Sequence, residues 1–309
     1  MKNINLLALS VSVLTVSDLP QAFACDCCSV FSVCNLNQEN SKGFVAGVAE
    51  QYTHFGTLRE DGRKISDAGE YIDSLTSQIF AGYHFNERFS TQLNVPVIYR
   101  AYGSHATSAD TAGIGDISLV GNFSAFQFSR GDFSCNWTVM GGVKLPTGDS
   151  TLLALDDVDL PDGIGGHDLA LGSGSVDGIV GMGFLVRWKR VFLNGQMQYA
   201  IRTQGDFGHR YANDWTWNGG PGAFVWLGEM ATVALQVVTS GESKDMDTLG
   251  GVVDEDSAST VLYLGPQLNF TWGGSLNAQL GADLPVSLAN SGLQVVPDYR
   301  IHAAVTWKF

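Results

Sequence analysis

Apolar and polar residues trade places one by one along most of this chain. In the final stretch, Tyr299, Ile301, Ala303, Val305, Trp307 and Phe309 alternate with Arg300, His302, Ala304, Thr306 and Lys308. Further back, Phe89, Thr91, Leu93, Val95, Val97 and Tyr99 alternate with Arg88, Ser90, Gln92, Asn94, Pro96, Ile98 and Arg100. Leu276, Ala278, Leu280, Ala282, Leu284 and Val286 do the same against Asn277, Gln279, Gly281, Asp283 and Pro285. A period of two is the signature of a strand with one greasy and one polar face. The pattern predicts twelve strands, at 43–55, 74–86, 88–103, 113–128, 132–147, 177–189, 191–204, 216–228, 230–240, 260–272, 275–288 and 294–309. Most are longer than the five or six residues, roughly, of a soluble strand, and long enough to cross an apolar zone.

The connections alternate in length. Short ones fall at Asn86-Glu87, Ser129-Arg130-Gly131, Lys189-Arg190, Gly228-Glu229 and Gly273-Gly274. Long ones fall at 56–73, 104–112, 148–176, 205–215 and 241–259, with a shorter one near 289–293. Short periplasmic turns and long external loops belong to a membrane barrel. The fold class expected is therefore all-β: a transmembrane antiparallel up-and-down β-barrel of about twelve strands. Closure would also remove the exposed strand edges.

Alternation alone does not say which face points inward. The N-terminus and the aromatic residues favour an apolar exterior. Met1-Lys-Asn, an apolar run from Ile4 to Val16 and Ala22-Phe23-Ala24 read as a secretory signal peptide over 1–24. Segment 25–42 is then a cysteine-rich stretch, and 43–309 the barrel. Aromatic rings recur near the short turns, at Phe85, Phe89, Phe126, Phe128, Phe133, Trp188, Phe192, Phe270, Trp272, Trp307 and Phe309. Amphipathic rings suit that interfacial depth. The localisation expected is the outer membrane of a Gram-negative-type bacterium, among its lipid and lipopolysaccharide.

Cys25, Cys27, Cys28 and Cys34 would reach an oxidising compartment, and two disulfides among them are the leading reading. A soft-metal thiolate site and lipid modification of Cys25 are the alternatives. Cys135 shares a face with Phe133, Trp137 and Val139 and reads as a small apolar filler.

Charged residues make up only 16% of the chain, and the formal net charge is −14, which argues against nucleic acid as a partner. Acid gathers at Asp156, Asp157, Asp159, Asp162 and Asp168, and again at Glu242, Asp245, Asp247, Asp254, Glu255 and Asp256. Solvated loops are the plain interpretation; bridging by divalent cations is the sharper one. No histidine neighbours a nucleophilic serine motif, and no phosphate loop, dinucleotide fingerprint or zinc-protease motif occurs. Neither an enzyme nor a cofactor is expected.

Three motifs carry a resemblance. They are Gly113-Ile-Gly-Asp116, then Lys144-Leu-Pro-Thr-Gly148-Asp149, then Leu171-Gly-Ser-Gly-Ser-Val-Asp177. Over about 113–190 the chain resembles an outer-membrane transporter family named after a meta-pathway phenol degradation protein. The resemblance implies a barrel associated with pathways for hydrophobic compounds. The cysteine cluster is not part of that pattern.

Projected inward, the alternation gives a mixed lining. Its basic candidates are Arg88, Arg100, Lys144, Arg187, Arg202, Arg300 and Lys308. The acidic ones are Glu50, Asp116, Asp283 and Asp298, with His84 and His302 beside them. Two functions follow. One is a porin-like channel passing a small hydrophobic or anionic solute, with Arg100, Lys144, Arg202 and Arg300 attracting anions. The other is a plugged structural barrel whose cysteine segment or acidic loops dock a protein partner, such as a redox protein. The 148–176 loop is long enough to fold in as a constriction.

Overall fold

The computed structural model describes residues 42–66, 69–103, 108–155 and 164–309. The segment read as a signal peptide, the cysteines Cys25, Cys27, Cys28 and Cys34, and Asp156 to Asp162 lie outside the described residues. Twelve long strands are present. They are β1 Gly43–Glu60, β2 Tyr71–His84, β3 Phe89–Gly103, β4 Ser118–Arg130, β5 Phe133–Lys144 and β6 Asp177–Trp188. Then come β7 Val191–Ile201, β8 Asp214–Leu227, β9 Ala231–Lys244, β10 Ser259–Trp272, β11 Leu276–Asn290 and β12 Leu293–Lys308.

Each strand pairs antiparallel with the next, and β12 returns to β1 along a register from Val45↔Lys308 to Glu60↔Leu293. The sheet is closed. Its short turns use backbone that favours glycine, as at Gly273 (φ 59) and Gly274 (φ 70) between β10 and β11.

The faces are inverted relative to a soluble protein. Phe44, Val48, Leu75, Ile79, Leu93, Val97, Leu193, Met197, Leu235, Leu280 and Val305 are exposed. Gln51, Thr53, Ser74, Thr76, Gln78, Asn94, Asn194 and Gln236 are buried. In water each such exposed side chain forfeits about 1.5–3 kcal/mol of burial. Against lipid tails nothing is forfeited, so the greasy face belongs outside. Phe85, Phe126, Phe128, Trp188, Trp272, Trp307 and Phe309 are exposed around the short-turn end, as the sequence predicts, and Trp226 joins them. Phe192 departs from that prediction: it turns inward and packs with Phe224 and Ala234.

One predicted strand, 113–128, is two pieces. Ser108–Ile114 folds back on the upper half of β3, and β4 begins only at Ser118 on its lower half. The break sits at Gly115-Asp116-Ile117, where the Gly115 amide donates to the Pro96 carbonyl at 2.8 Å. Small extra pieces lie at the long-loop end: Arg63–Lys64 on β1, and a three-stranded sheet of His209–Arg210, Thr248–Leu249 and Val252–Val253.

Candidate functional site: the roofed mouth and the lumen

The three motifs meet at the long-loop end of the barrel. Asp116 precedes β4, Lys144 ends β5, Asp177 begins β6, Arg202 follows β7 and Asp214 begins β8. Carboxylates and cations therefore alternate along successive strand ends. Lys144 Nζ lies 2.5 Å from Asp116 Oδ2 and 2.8 Å from Asp177 Oδ2. Arg202 reaches Asp177 at 3.1 Å through Nη1 and Asp214 at 2.8 Å through Nε. All five side chains are buried. Buried charges persist only when paired and hydrogen-bonded, and these are both.

Into this row the 148–176 loop is stitched. Ser173 donates its amide to Asp116 Oδ2 at 3.0 Å and its hydroxyl at 2.9 Å, and Lys144 donates to Ser173 Oγ. Ser175 Oγ donates to Asp177 Oδ1 at 2.8 Å. The Gly148 amide donates to Asp116 Oδ1 at 3.0 Å, and Thr147 Oγ1 to the Gly115 carbonyl at 2.9 Å. Glycine at 148 and 172 is a matter of space. A Cβ on Gly148 would stand 2.5 Å from the Leu171 carbonyl oxygen, and one on Gly172 would stand 2.6 Å from Gly148.

The loop is also held by apolar contact. Ile164 and Leu169 pack with Leu58, Ile72 and Val295 from the wall, and Leu153 and Ala170 pack with Tyr211. Arg100, 1% exposed, donates through Nη1 to the carbonyls of Asp168 and Ala170. At the loop's exposed start, the Thr151 amide donates to Asp149 at 2.9 Å and holds that carboxyl below its ordinary range. The second acidic segment is not wholly solvated, contrary to its plain interpretation from the sequence. Asp247 is buried against Lys244 at 2.7 Å, with His209 at 3.8 Å, and Glu242 is buried at the end of β9.

Below this roof the lumen is lined largely by amides. Gln236 Nε2 donates to Asn194 Oδ1 at 2.5 Å, Gln267 Nε2 to Asn269 Oδ1 at 2.8 Å, and Gln78 Nε2 to Asn94 Oδ1 at 3.2 Å. A cavity with about 60 Å³ open to the centre of a water molecule is bordered by Gln51, Gln236, Gln267, Gln279, Asp283 and His302, among others. Arg300 also borders it and lies 4.1 Å from the centre of the Tyr263 ring.

Of the predicted lining residues, Arg100, Lys144, Arg202 and Asp116 come together at the mouth, and Arg300 and Asp283 come together in the lumen. Arg187 stands apart near a short turn, 4.7 Å over the Phe224 ring. Glu50 lies between buried Ala49 and Gln51 on β1, accepts from Ser77 Oγ at 2.6 Å and is among the residues bordering the cavity. Asp298 sits where the β1–β12 register slips, and accepts from Thr57 Oγ1 at 2.7 Å. The sequence reading missed Asp177, Asp214, Ser173 and Ser175. Asp177 and the serines were visible as motif residues. Nothing in Asp214's neighbourhood distinguished it.

No family model matches the chain, and no curated relative does either. Among solved structures, it is similar to the COG4313 outer membrane channel from Pseudomonas putida F1. The TM-score is 0.67 at 13% identity, covering 90% of this chain and 100% of that one. The NanC porin (TM-score 0.41, 11% identity, covering 85% and 100%) and the β domain of the Bordetella autotransporter BrkA (0.45, 10%, covering 87% and 100%) are more distant. What the first likeness carries is the fold, and not a specificity for phenols. The fold is that of an outer-membrane β-barrel.

Proposed function

We propose that this chain is an outer-membrane channel for passive passage of a small uncharged solute. One observation carries the reading: each lumen cation placed above is occupied by a neighbour, and the wall between them is amide. Lys144, Arg202 and Lys244 face carboxylates, Arg100 faces carbonyls, and Arg187 and Arg300 face aromatic rings. A cation so engaged adds little field to the passage, so selection of anions by a basic wall loses its support. The runner-up, a plugged docking barrel, is favoured by the 148–176 loop, because it is anchored by both ion pairs and core packing.

Planar-bilayer recording separates these. The channel reading expects discrete single-channel steps with a reversal potential near zero in a salt gradient. A strongly anion-selective reversal potential would restore the basic-wall reading. Silence from folded protein would favour the plugged barrel.

A further inference from the structure

The short-turn rim carries cations along one side. Arg88 stands in the turn between β2 and β3, Arg130 at the end of β4, and Lys189 and Arg190 between β6 and β7. All four are exposed. The alternation assigns Arg88 to the lining, but it sits in its turn instead. The turns Gly228-Glu229 and Gly273-Gly274 hold no cation. Glu87 and Asp132 are the acids of the cationic turns, and among the described residues no ion pair joins them to the four. Lys189 Nζ lies 5.7 Å from the centre of the Trp188 ring.

These turns are fixed to the strands beside them. The Ser124 amide of β4 donates to the Arg88 carbonyl at 2.8 Å, the Lys189 amide to the Asp132 carbonyl at 2.8 Å, and the Phe224 amide of β8 to the Arg190 carbonyl at 2.7 Å. Successive turns of a sheet stand two strand spacings apart, roughly 10 Å. The cations therefore form a spaced row. Directly beside it on the outer wall Phe85, Phe89, Phe126, Phe128, Phe133 and Trp188 are exposed. Rings of that kind lie where acyl chains meet headgroups, which sets the cations at the height of lipid phosphates. A soluble acidic partner would use the charge and leave the rings idle. A second copy meeting this rim with its own would set cation against cation.

We propose that the arc from Arg88 to Arg190 is a docking surface for anionic phospholipid headgroups of the leaflet on the short-turn side. The guanidinium and ammonium groups take the phosphates, and the adjoining rings take the upper acyl chains. The surface serves an open or a plugged barrel equally.

The test is native mass spectrometry of the full chain in detergent, its folding verified by heat-dependent gel mobility, with phosphatidylglycerol and phosphatidylethanolamine of matched chains. Phosphatidylglycerol should be retained in preference, and the preference should fall as ammonium acetate is raised. Arg88→Gln, Arg130→Gln and Arg190→Gln should each weaken its binding by up to about fivefold, and the three together by more than about tenfold. Arg63→Gln with Lys64→Gln removes exposed cations at the long-loop end and should leave the binding unchanged. Equal retention of the two lipids overturns the proposal. So does a preference that the triple variant keeps, or one that the Arg63 and Lys64 pair also abolishes. If poly-glutamate binds the parent chain and not the triple variant while the lipids are not distinguished, the surface belongs to an acidic protein and the lipid assignment falls.

Discussion

At Lys144 one amine holds two carboxylates that would otherwise repel. Asp116 and Asp177 both point at it; Ser173 bonds to the same Asp116 oxygen, and Ser175 to the other oxygen of Asp177. Replacing it by methionine keeps much of the volume and removes the charge. The loss expected is about 3–5 kcal/mol, the usual result of leaving buried charge without its partner. It should appear as a lower temperature for the gel-mobility shift of the folded barrel. Asp177→Asn in the same background should restore part of that loss, because it removes one of the stranded charges. A cycle of the two single variants and the double variant measures the coupling directly. If Lys144→Met melts like the parent chain, the row of strand-end charges is not what secures the mouth.

At the scale of elements, the strands were legible because their alternation has to be strict when one face meets lipid. A slip by one residue would put Leu93 and Val97 inside and Asn94 and Arg100 in the hydrocarbon. The turns were legible for a related reason, since glycine or a short polar pair suffices to reverse the chain. Three features were not legible. The strand predicted at 113–128 breaks at Asp116 because that carboxylate is engaged by Lys144 and the loop, a long-range demand that periodicity cannot express. Asp247 looked solvated because it lies among acids, whereas the fold turns Lys244, three residues earlier, onto it and brings His209 beside it. The tie of Glu50 to Ser77, and of Asp298 at a register slip to Thr57, depends on cross-strand pairing that the alternation does not express.

The loop itself makes a prediction at this scale. Replacing 151–170 by a short glycine-serine linker removes Leu153, Ile164 and Leu169 from the mouth and frees Arg100 from its carbonyls. Single-channel conductance should rise, and the barrel should still fold, because the strand ladder does not include those residues. An unchanged conductance would place the narrowest point below the roof, among the amides.

For the whole molecule, the closing contact is the one between the two ends of the barrel. Val45 finds its partner in Lys308, and the ladder runs from there to Glu60 and Leu293. This is a pairing of the greatest sequence separation the barrel contains, and contacts of that kind form late. Until they form, β1 offers an unmatched row of amides and carbonyls to any neighbouring chain. A stop codon a few residues upstream of Leu293 is therefore no minor trimming. It should turn an integral membrane protein into periplasmic aggregate, with the remaining eleven strands nearly complete and nothing to seal them.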